Sequence, residues 1–379
     1  MKIKDLYLEN FTAFDQAKFE FCDGINVLIG ANGTGKTHAM KIMYEIISNA
    51  LKEKYKEQKK LLRIELEDRI LQLFKIQKNN KLLRNNYENY ILPFYGEDKE
   101  INDTRECYID FIEANELANY FAQSLKFKNK NVLKKANVKI NIHNNKINNN
   151  IYFPTTEMLS IYDHFFATYE KREIPYNKTH YDLALALNAA ILRKTHEDYK
   201  AIEPIIKNIQ EIVTGSKDQQ EDLVILENDH FYFNLHGKKL DVNVIADGYR
   251  KLGTLYYLLR NGSLTTNSIL FWDEPEASLN PILIRKTADI IRQLGLAGIQ
   301  VFVSTHDYLL AHELSLLAEY PTPPAPEKPN IRFFALYKDE PQAPTQIEMA
   351  DTLTKIKHDD ILAEFAAHDD YESNLFYGA

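Results

Sequence analysis

Gly30-Ala31-Asn32-Gly33-Thr34-Gly35-Lys36-Thr37 is a complete G-x-x-x-x-G-K-[ST] loop, and its flanks decide the fold. Ile25-Asn26-Val27-Leu28-Ile29 before it is an apolar run of strand length. From His38 onward, Met40, Met43, Tyr44, Ile47 and Leu51 recur at helical spacing. A strand, a glycine turn and a helix start make an anion cradle. Gly30, Gly33 and Gly35 relieve Cβ clashes, the backbone N–H groups point inward, and the helix dipole adds partial positive charge. In such a loop Lys36 reaches the β- and γ-phosphates and the Thr37 hydroxyl ligates Mg2+. Asn32, Thr34 and His38 complete the set of residues expected at a bound ATP. The bland alternative is a chance glycine turn, against which the flanking strand and helix both argue.

A second apolar run, Ser268-Ile269-Leu270-Phe271-Trp272, ends in Asp273-Glu274-Pro275-Glu276. A buried parallel strand that delivers an acidic pair at its C-terminal end is the Walker B arrangement. Asp273 is then expected to hold the Mg2+ shell. Glu274 faces the other way on an extended chain and is the candidate general base. An ordinary acidic turn explains Asp-Glu-Pro in isolation. A third run, Ile299 to Ser304, is a strand that ends in Thr305-His306-Asp307.

The stretch from Asp273 through Glu276, Ser278, Leu279, Asn280 and Pro281, followed by a strand ending in Ser304-Thr305-His306, resembles the ATP-binding-cassette (ABC) ATPases. Within them it is most similar to the soluble branch of RecF, SMC heads and the overcoming-lysogenization-defect (OLD) ATPases. The opening agrees, with Ile3, Leu6, Leu8, Asn10, Phe11 and Phe14 ahead of the Ile25–Gly33 run. The resemblance covers residues 1–49 and 222–345. It implies an α/β ABC-ATPase head: a P-loop parallel core sheet, an antiparallel N-terminal β-subdomain and helical insertions. The head takes residues 1–49, 150–168 and 222–379, the helical and Lys/Asn-rich insertion 50–149, and a helical subdomain 169–221.

The resemblance also assigns roles. Ala246 to Leu252 stands at the signature motif, so Asp247 and Gly248 are expected at the γ-phosphate of a partner subunit. Ala246 replaces the usual serine, with Arg250 or Lys251 as a substitute charge. A plain helix start explains the same residues, with Asp247 as N-cap and Leu252, Leu255, Tyr256 and Leu259 as core face. Ser278-Leu279-Asn280 becomes the D-loop at the dimer contact, and His306 the switch histidine that senses the γ-phosphate. No glutamine marks a Q-loop. The strand from Asn150 leads to Pro154-Thr155-Thr156-Glu157, where Glu157 is the coupling candidate. A helix cap at Thr155 or Thr156, with Glu157 in the first turn, is the equal alternative.

The remaining chain narrows the class. Apolar content of 45% over 379 residues supports a large core. The net charge of −8 excludes a protein coated in basic surface but not a local patch. Cys22 and Cys107 alone allow neither a disulfide framework nor a cysteine zinc site, which suits a reducing, cytoplasmic compartment. No apolar run approaches ~20 residues, so no membrane span is expected, and no signal peptide is read at the start. Residues 50–90 read as amphipathic helix with a stripe at Leu62, Leu66, Ile70 and Leu73. Residues 91–105 read as a loop and 108–125 as helix. Lys126 to Asn150 has no acidic residue and reads either as a nucleic-acid-facing patch or as solvated strands and turns. Tyr181, Leu185, Asn188, Ala189 and Leu192 mark one helix, and Ile202, Ile205, Ile206, Ile209 and Ile212 another. Leu223 to Phe233 reads as a hairpin turning at Asn228-Asp229. The tail from Asp339 is acidic, a partner-docking segment in this reading.

One chain carries the phosphate loop and the signature helix once each, so the family logic implies a homodimer, or higher homo-oligomer, around two ATP molecules. In the stretch after His306 no Toprim domain of the OLD-nuclease kind is expected. The chain therefore resembles the standalone ATPase subunits of two-gene antiphage systems, AriA of PARIS and PtuA of Septu. That likeness implies a cytoplasmic sensor or scaffold that holds a separate effector, a nuclease, and answers a DNA or phage-protein trigger. The alternative is a RecF-like DNA-repair clamp. A transporter ATPase is the third reading, against which the missing Leu-Ser-Gly-Gly-Gln motif argues.

Overall fold

The computed structural model describes residues 2–50, 91–95, 99–101, 104–113, 136–143, 149–171, 176–217, 221–320 and 329–378. The chain divides into two compact units. The first comprises Met1–Phe21, Gly33–Asn145 and Lys338–Ile347. Strands are numbered in chain order. Its sheet is antiparallel: β1 (Lys2–Phe11), β2 (Phe14–Glu20), β4 (Ile91–Tyr95), β5 (Lys99–Ile101), β6 (Thr104–Glu113) and β7 (Ala136–His143). The order is β2-β1-β7-β6-β4, with β5 also on β6. In β1, Ile3, Leu6 and Leu8 are buried, a spacing that breaks strict alternation. A register shift between Ile3 and Asp5 absorbs the extra residue and returns both runs to one face. Helix α1 (Lys36–Ala50) belongs to this unit.

The loop expected at 91–105 and the helix expected from 108 are corrected here, since β4, β5 and β6 occupy 91–95, 99–101 and 104–113. Pro93 suggested a loop, but β4 is the terminal strand of its sheet, where a missing N–H is tolerated. Thr104 to Glu113 is rich in β-branched and aromatic residues, and β6 pairs with β7 along eight positions from Thr104 to Phe111. The amphipathic stripe from Leu62 to Leu73 lies outside the described residues, as does most of the Lys126–Asn150 segment.

The second unit comprises Cys22–Asn32, Lys146–Tyr337 and Glu348–Ala379. Its main sheet holds β3 (Ile25–Ile29), β8 (Asn150–Phe153), β12 (Ile269–Asp273), β13 (Gln300–Thr305), β14 (Ile331–Tyr337) and β15 (Gln346–Ala350). The order is β15-β14-β3-β13-β12-β8. The run from β14 to β8 is parallel throughout. Every residue of β3, β12 and β13 is buried, which is why these strands read as continuous apolar runs. Aromatic rings stack between registered neighbours: Phe153 on Trp272 at 5.1 Å and Phe271 on Phe302 at 4.9 Å.

Around this sheet the unit adds α2 (Phe165–Glu170), α3 (Lys178–Leu187), α4 (Glu197–Thr214), α5 (Asp247–Arg260), α6 (Pro281–Leu296), α7 (Tyr308–Glu319) and α8 (Asp360–Tyr377). Helix α4 buries Ile202, Ile205, Ile206 and Ile209 and stops at Gly215, whose φ of 71° suits glycine. Helix α3 lies further upstream than its expected stripe. It buries Thr179, His180, Leu183, Ala184 and Leu187, while Leu185 is exposed. A three-stranded meander of β9 (Val224–Glu227), β10 (His230–Leu235) and β11 (Lys238–Asp241) completes the unit. Its first turn is the expected hairpin: Asn228 and Asp229 both take positive φ, 51° and 59°, as a primed turn requires.

Helix α5 lies close against this meander at Gly253. A Cβ there would meet Phe233 Cζ at 2.3 Å and Val224 Cγ2 at 3.2 Å, and Phe233 is fully buried. Gly253→Ala gains ~1 kcal/mol of helix propensity. The overpacking outweighs it, so a net loss of about 1–3 kcal/mol is expected in urea unfolding. Unchanged stability would show that the ring can move aside.

Candidate functional site

The parallel register sets one edge of the second unit. Asp273 pairs with Ser304, and Ile29 pairs with Thr305, so β12, β13 and β3 end level. Glu274, His306 and Gly30 are the residues that leave those ends. In open α/β sheets ligands bind beyond the carboxyl ends of the strands.

Asp273 closes β12 and is buried. Its Oδ2 accepts from the Tyr152 hydroxyl at 3.0 Å, and its Oδ1 accepts from Ser304 Oγ. Burial, and then the neighbouring Asp273, hold the Tyr152 phenol well above its ordinary pKa, so it stays a donor. Both donors come from flanking strands, β8 and β13, and neither was visible from the sequence around Asp273.

Glu274 departs from the extended geometry expected of it. Its φ is 48°, in the left-handed region, at a cost of roughly 1–2 kcal/mol for a non-glycine residue. Its N–H donates to the Ser304 carbonyl at 3.0 Å, and its own carbonyl accepts from Ala277 N–H at 3.1 Å. This tight turn lifts the side chain out of the sheet, toward His306, whose Nδ1 lies 3.1 Å from Glu274 Oε1. Glu276, two residues on, is buried and braces the same histidine. Its Oε1 accepts from Thr305 Oγ1 at 2.7 Å and from His306 N–H at 3.3 Å. Burial pushes its carboxyl up, against these donors.

The segment from Asp247 opens α5, but Ala246, not Asp247, is the N-cap, and no side chain caps the helix. Asp247 is instead the first helical residue. Burial raises its carboxyl, yet Ser278 and Arg250 outweigh burial and hold it below the usual range. Gly248 is required by a close approach: a Cβ would meet Leu279 Cδ2 at 2.8 Å and the Ser278 carbonyl at 3.1 Å. Asn280 caps α6 through Leu283 N–H at 3.0 Å, followed by Pro281 in the first turn. Arg250 and Lys251, the candidate substitute charges, are both engaged within the unit. Arg250 Nε sits 3.2 Å from Glu157 Oε2, in an ion pair whose N–H is not aimed at that oxygen. Its Nη2 is 3.1 Å from Asp247 Oδ1. Lys251 is 2% exposed and donates to the carbonyls of Glu274 and Ala277. Glu157, the coupling candidate, is buried. Its carboxylate accepts from Leu159 N–H, Ser160 N–H and Ser160 Oγ, so it caps its own turn while pairing with α5.

In the phosphate loop, Gly30, Gly33 and Gly35 take φ of 142°, 79° and 95°. These values suit glycine and match the loop reading. Helix α1 opens at Lys36, and Lys36 and Thr34 are buried while Asn32 is exposed. Thr37 and His38 follow in its first turn. Among the described residues no group of three or more His, Cys, Asp or Glu could hold a metal. The Thr37 hydroxyl and the Asp273 carboxylate are each an oxygen donor of the kind Mg2+ takes, and Mg2+ needs few protein ligands.

Residues 25–311 match the family described as "AAA domain, putative AbiEii toxin, Type IV TA system". The chain belongs to this family. By that match it is an AAA-family ATPase. Over 74 residues this AAA-domain chain is 32% identical to a fluoroquinolones export ATP-binding protein of Mycobacterium tuberculosis, covering 20% of this chain and 25% of that protein. The chain thus spans about a quarter of that relative's length. Among solved structures it is similar to an SMC head bound to the C-winged helix domain of ScpA, at 12% identity and TM-score 0.44, covering 94% of this chain and 99% of that one. The SMC head domain from Thermotoga maritima matches at 11% identity and TM-score 0.39, covering 92% and 99%. Among the described residues no helix is long and apolar enough to cross a membrane.

Proposed function

We propose that the chain is a Mg2+-dependent ATPase that closes as a homodimer on two ATP molecules, and that it holds or activates a separate effector, a nuclease, in antiphage defence. The observation that carries the ATPase reading is the turn at Glu274: a strained residue braced on both sides and aimed with His306 beyond the ends of β12 and β13. Backbone N–H groups of the 30–37 loop and Lys36 bind the phosphates. Thr37 and Asp273 would hold Mg2+, which would neutralise charge on the phosphates. Tyr152 and Ser304 fix the Asp273 carboxylate as an acceptor. Glu274 takes the proton from the attacking water, and His306 donates toward the γ-phosphate once it leaves Glu274.

Dimer closure rests on Asp247 and Gly248 acting on the partner's nucleotide, with ATP contacts driving the equilibrium. With ATP and Mg2+, Glu274→Gln is expected to double in mass by light scattering. A variant that stays monomeric with ATP would refute the sandwich.

The effector reading draws support from the family description, which names a toxin system, and from α8. That helix buries no residue and carries Asp360, Glu364, Asp369, Asp370 and Glu372 with no Lys or Arg. Leu362, Phe365, Tyr371, Leu375, Phe376 and Tyr377 are exposed on it. Such a surface suits a basic, apolar-grooved protein rather than nucleic acid. The purified chain is expected to cut neither DNA nor RNA with any nucleotide and metal. Phage protection is expected to need both Lys36 and a second gene. Full protection by this chain alone would sink the scaffold reading. Tight ATP-dependent binding to DNA ends or gaps, with no effector, would favour the repair clamp.

A further inference from the structure

We infer that Lys251 is the positioning residue for Glu274: its buried ammonium fixes the turn that presents the base and ties that turn to the first turns of α5. The inference rests on the ATPase reading above and deepens it. Lys251 leaves α5 one turn after Gly248 and is 2% exposed. Its Nζ donates to the Glu274 carbonyl at 3.0 Å and to the Ala277 carbonyl at 3.1 Å. One cation thus holds both ends of the 274–277 turn.

The choice of residue is informative. A charge taken out of water is costly unless it is paired, and this ammonium's two direct contacts are to neutral carbonyls. Burial accordingly lowers the Lys251 pKa, while Glu276, Asp247, Glu274 and Asp273 oppose that shift. A core that needed only filling would take leucine or methionine at this position. A cation is needed where two carbonyls converge and the backbone must be kept in an unfavourable conformation. Glu274 has φ 48° and Ser278 has φ 66°, so the turn is left-handed at both of its borders. The Ser278 border faces α5 directly, since Gly248 packs against Ser278 and Leu279. A displacement at the start of α5 therefore reaches the carbonyl of the base through a single side chain. Arg250, the preceding residue, makes a parallel link from the same helix to Glu157.

The test is a double-mutant cycle on the full chain. Lys251→Met keeps the length of the side chain and removes the donor. It is expected to lower kcat about 10- to 100-fold with KM changed less than about threefold, because an interaction acting on the base is lost while ground-state binding remains. Lys251→Gln, which keeps one donor, is expected to recover part of kcat, and it carries the comparison if Lys251→Met does not fold. In single-turnover hydrolysis with enzyme in excess, adding Lys251→Met to Glu274→Gln is expected to cost no further rate, since both changes disable one device. A purely structural lysine would instead raise KM or slow Glu274→Gln as much as wild type, and either result overturns the inference. So does Lys251→Met turnover within twofold of wild type. Wild-type protein without turnover would end the ATPase reading and this inference together, whereas active wild type with an indifferent Lys251 ends this inference alone.

Discussion

Glu274→Gln is expected to bind ATP as tightly as wild type and to hydrolyse it about 100- to 10,000-fold more slowly, the range for removal of a general base. The substitution keeps the shape of the side chain and removes its proton acceptor. It leaves intact what holds the turn, since Glu274 N–H bonds Ser304 and the Glu274 carbonyl bonds Lys251 and Ala277. The contact to His306 Nδ1, 3.1 Å in this structure, survives as a neutral hydrogen bond. Binding by titration calorimetry and turnover by phosphate release separate the two effects. Wild-type turnover in Glu274→Gln would move the base elsewhere, and Glu276 is the remaining carboxylate beside His306, 3.9 Å from its Nδ1. Glu276 is the weaker choice because Thr305 Oγ1 and His306 N–H already occupy its Oε1.

What the sequence made legible was local. The glycine turn ahead of α1, the strand that ends at Asp273 and the Asn228-Asp229 hairpin each depend on residues a few positions apart, and a short pattern carries them. The buried strands β3, β12 and β13 read correctly because parallel strands covered on both faces need no alternation. Errors arose where the partner decided. Pro93 is compatible with a strand only because β4 ends its sheet, and sheet order is not written locally. Lys251 stands only as a candidate signature charge until the turn at Ala277 is seen folded over it. Tyr152 lies 121 positions from Asp273, and only the pairing of β8 with β12 brings it there. One signal was available: a lysine beside Leu252, inside an otherwise apolar stripe, needs an acceptor in the core.

Lys36→Ala is expected to weaken ATP binding about 100-fold or more, since a charge-assisted contact to a phosphate is among the stronger single polar interactions. Lys36 is the first residue of α1, follows Gly35 at φ 95°, and is 6% exposed. Its backbone N–H sits at the helix start, and alanine keeps that donor. The loss therefore isolates the ammonium from the rest of the cradle. Thr34 and the three glycines are unchanged, so residual binding measures what backbone N–H groups supply alone. Because the lysine is buried, its removal also leaves a space, and thermal unfolding without nucleotide must accompany the titration. A melting temperature near wild type with lost ATP-induced stabilisation assigns the effect to the phosphate. Equal ATP stabilisation in wild type and Lys36→Ala would mean that the loop does not hold the triphosphate, and the ATPase reading would fail at its first residue.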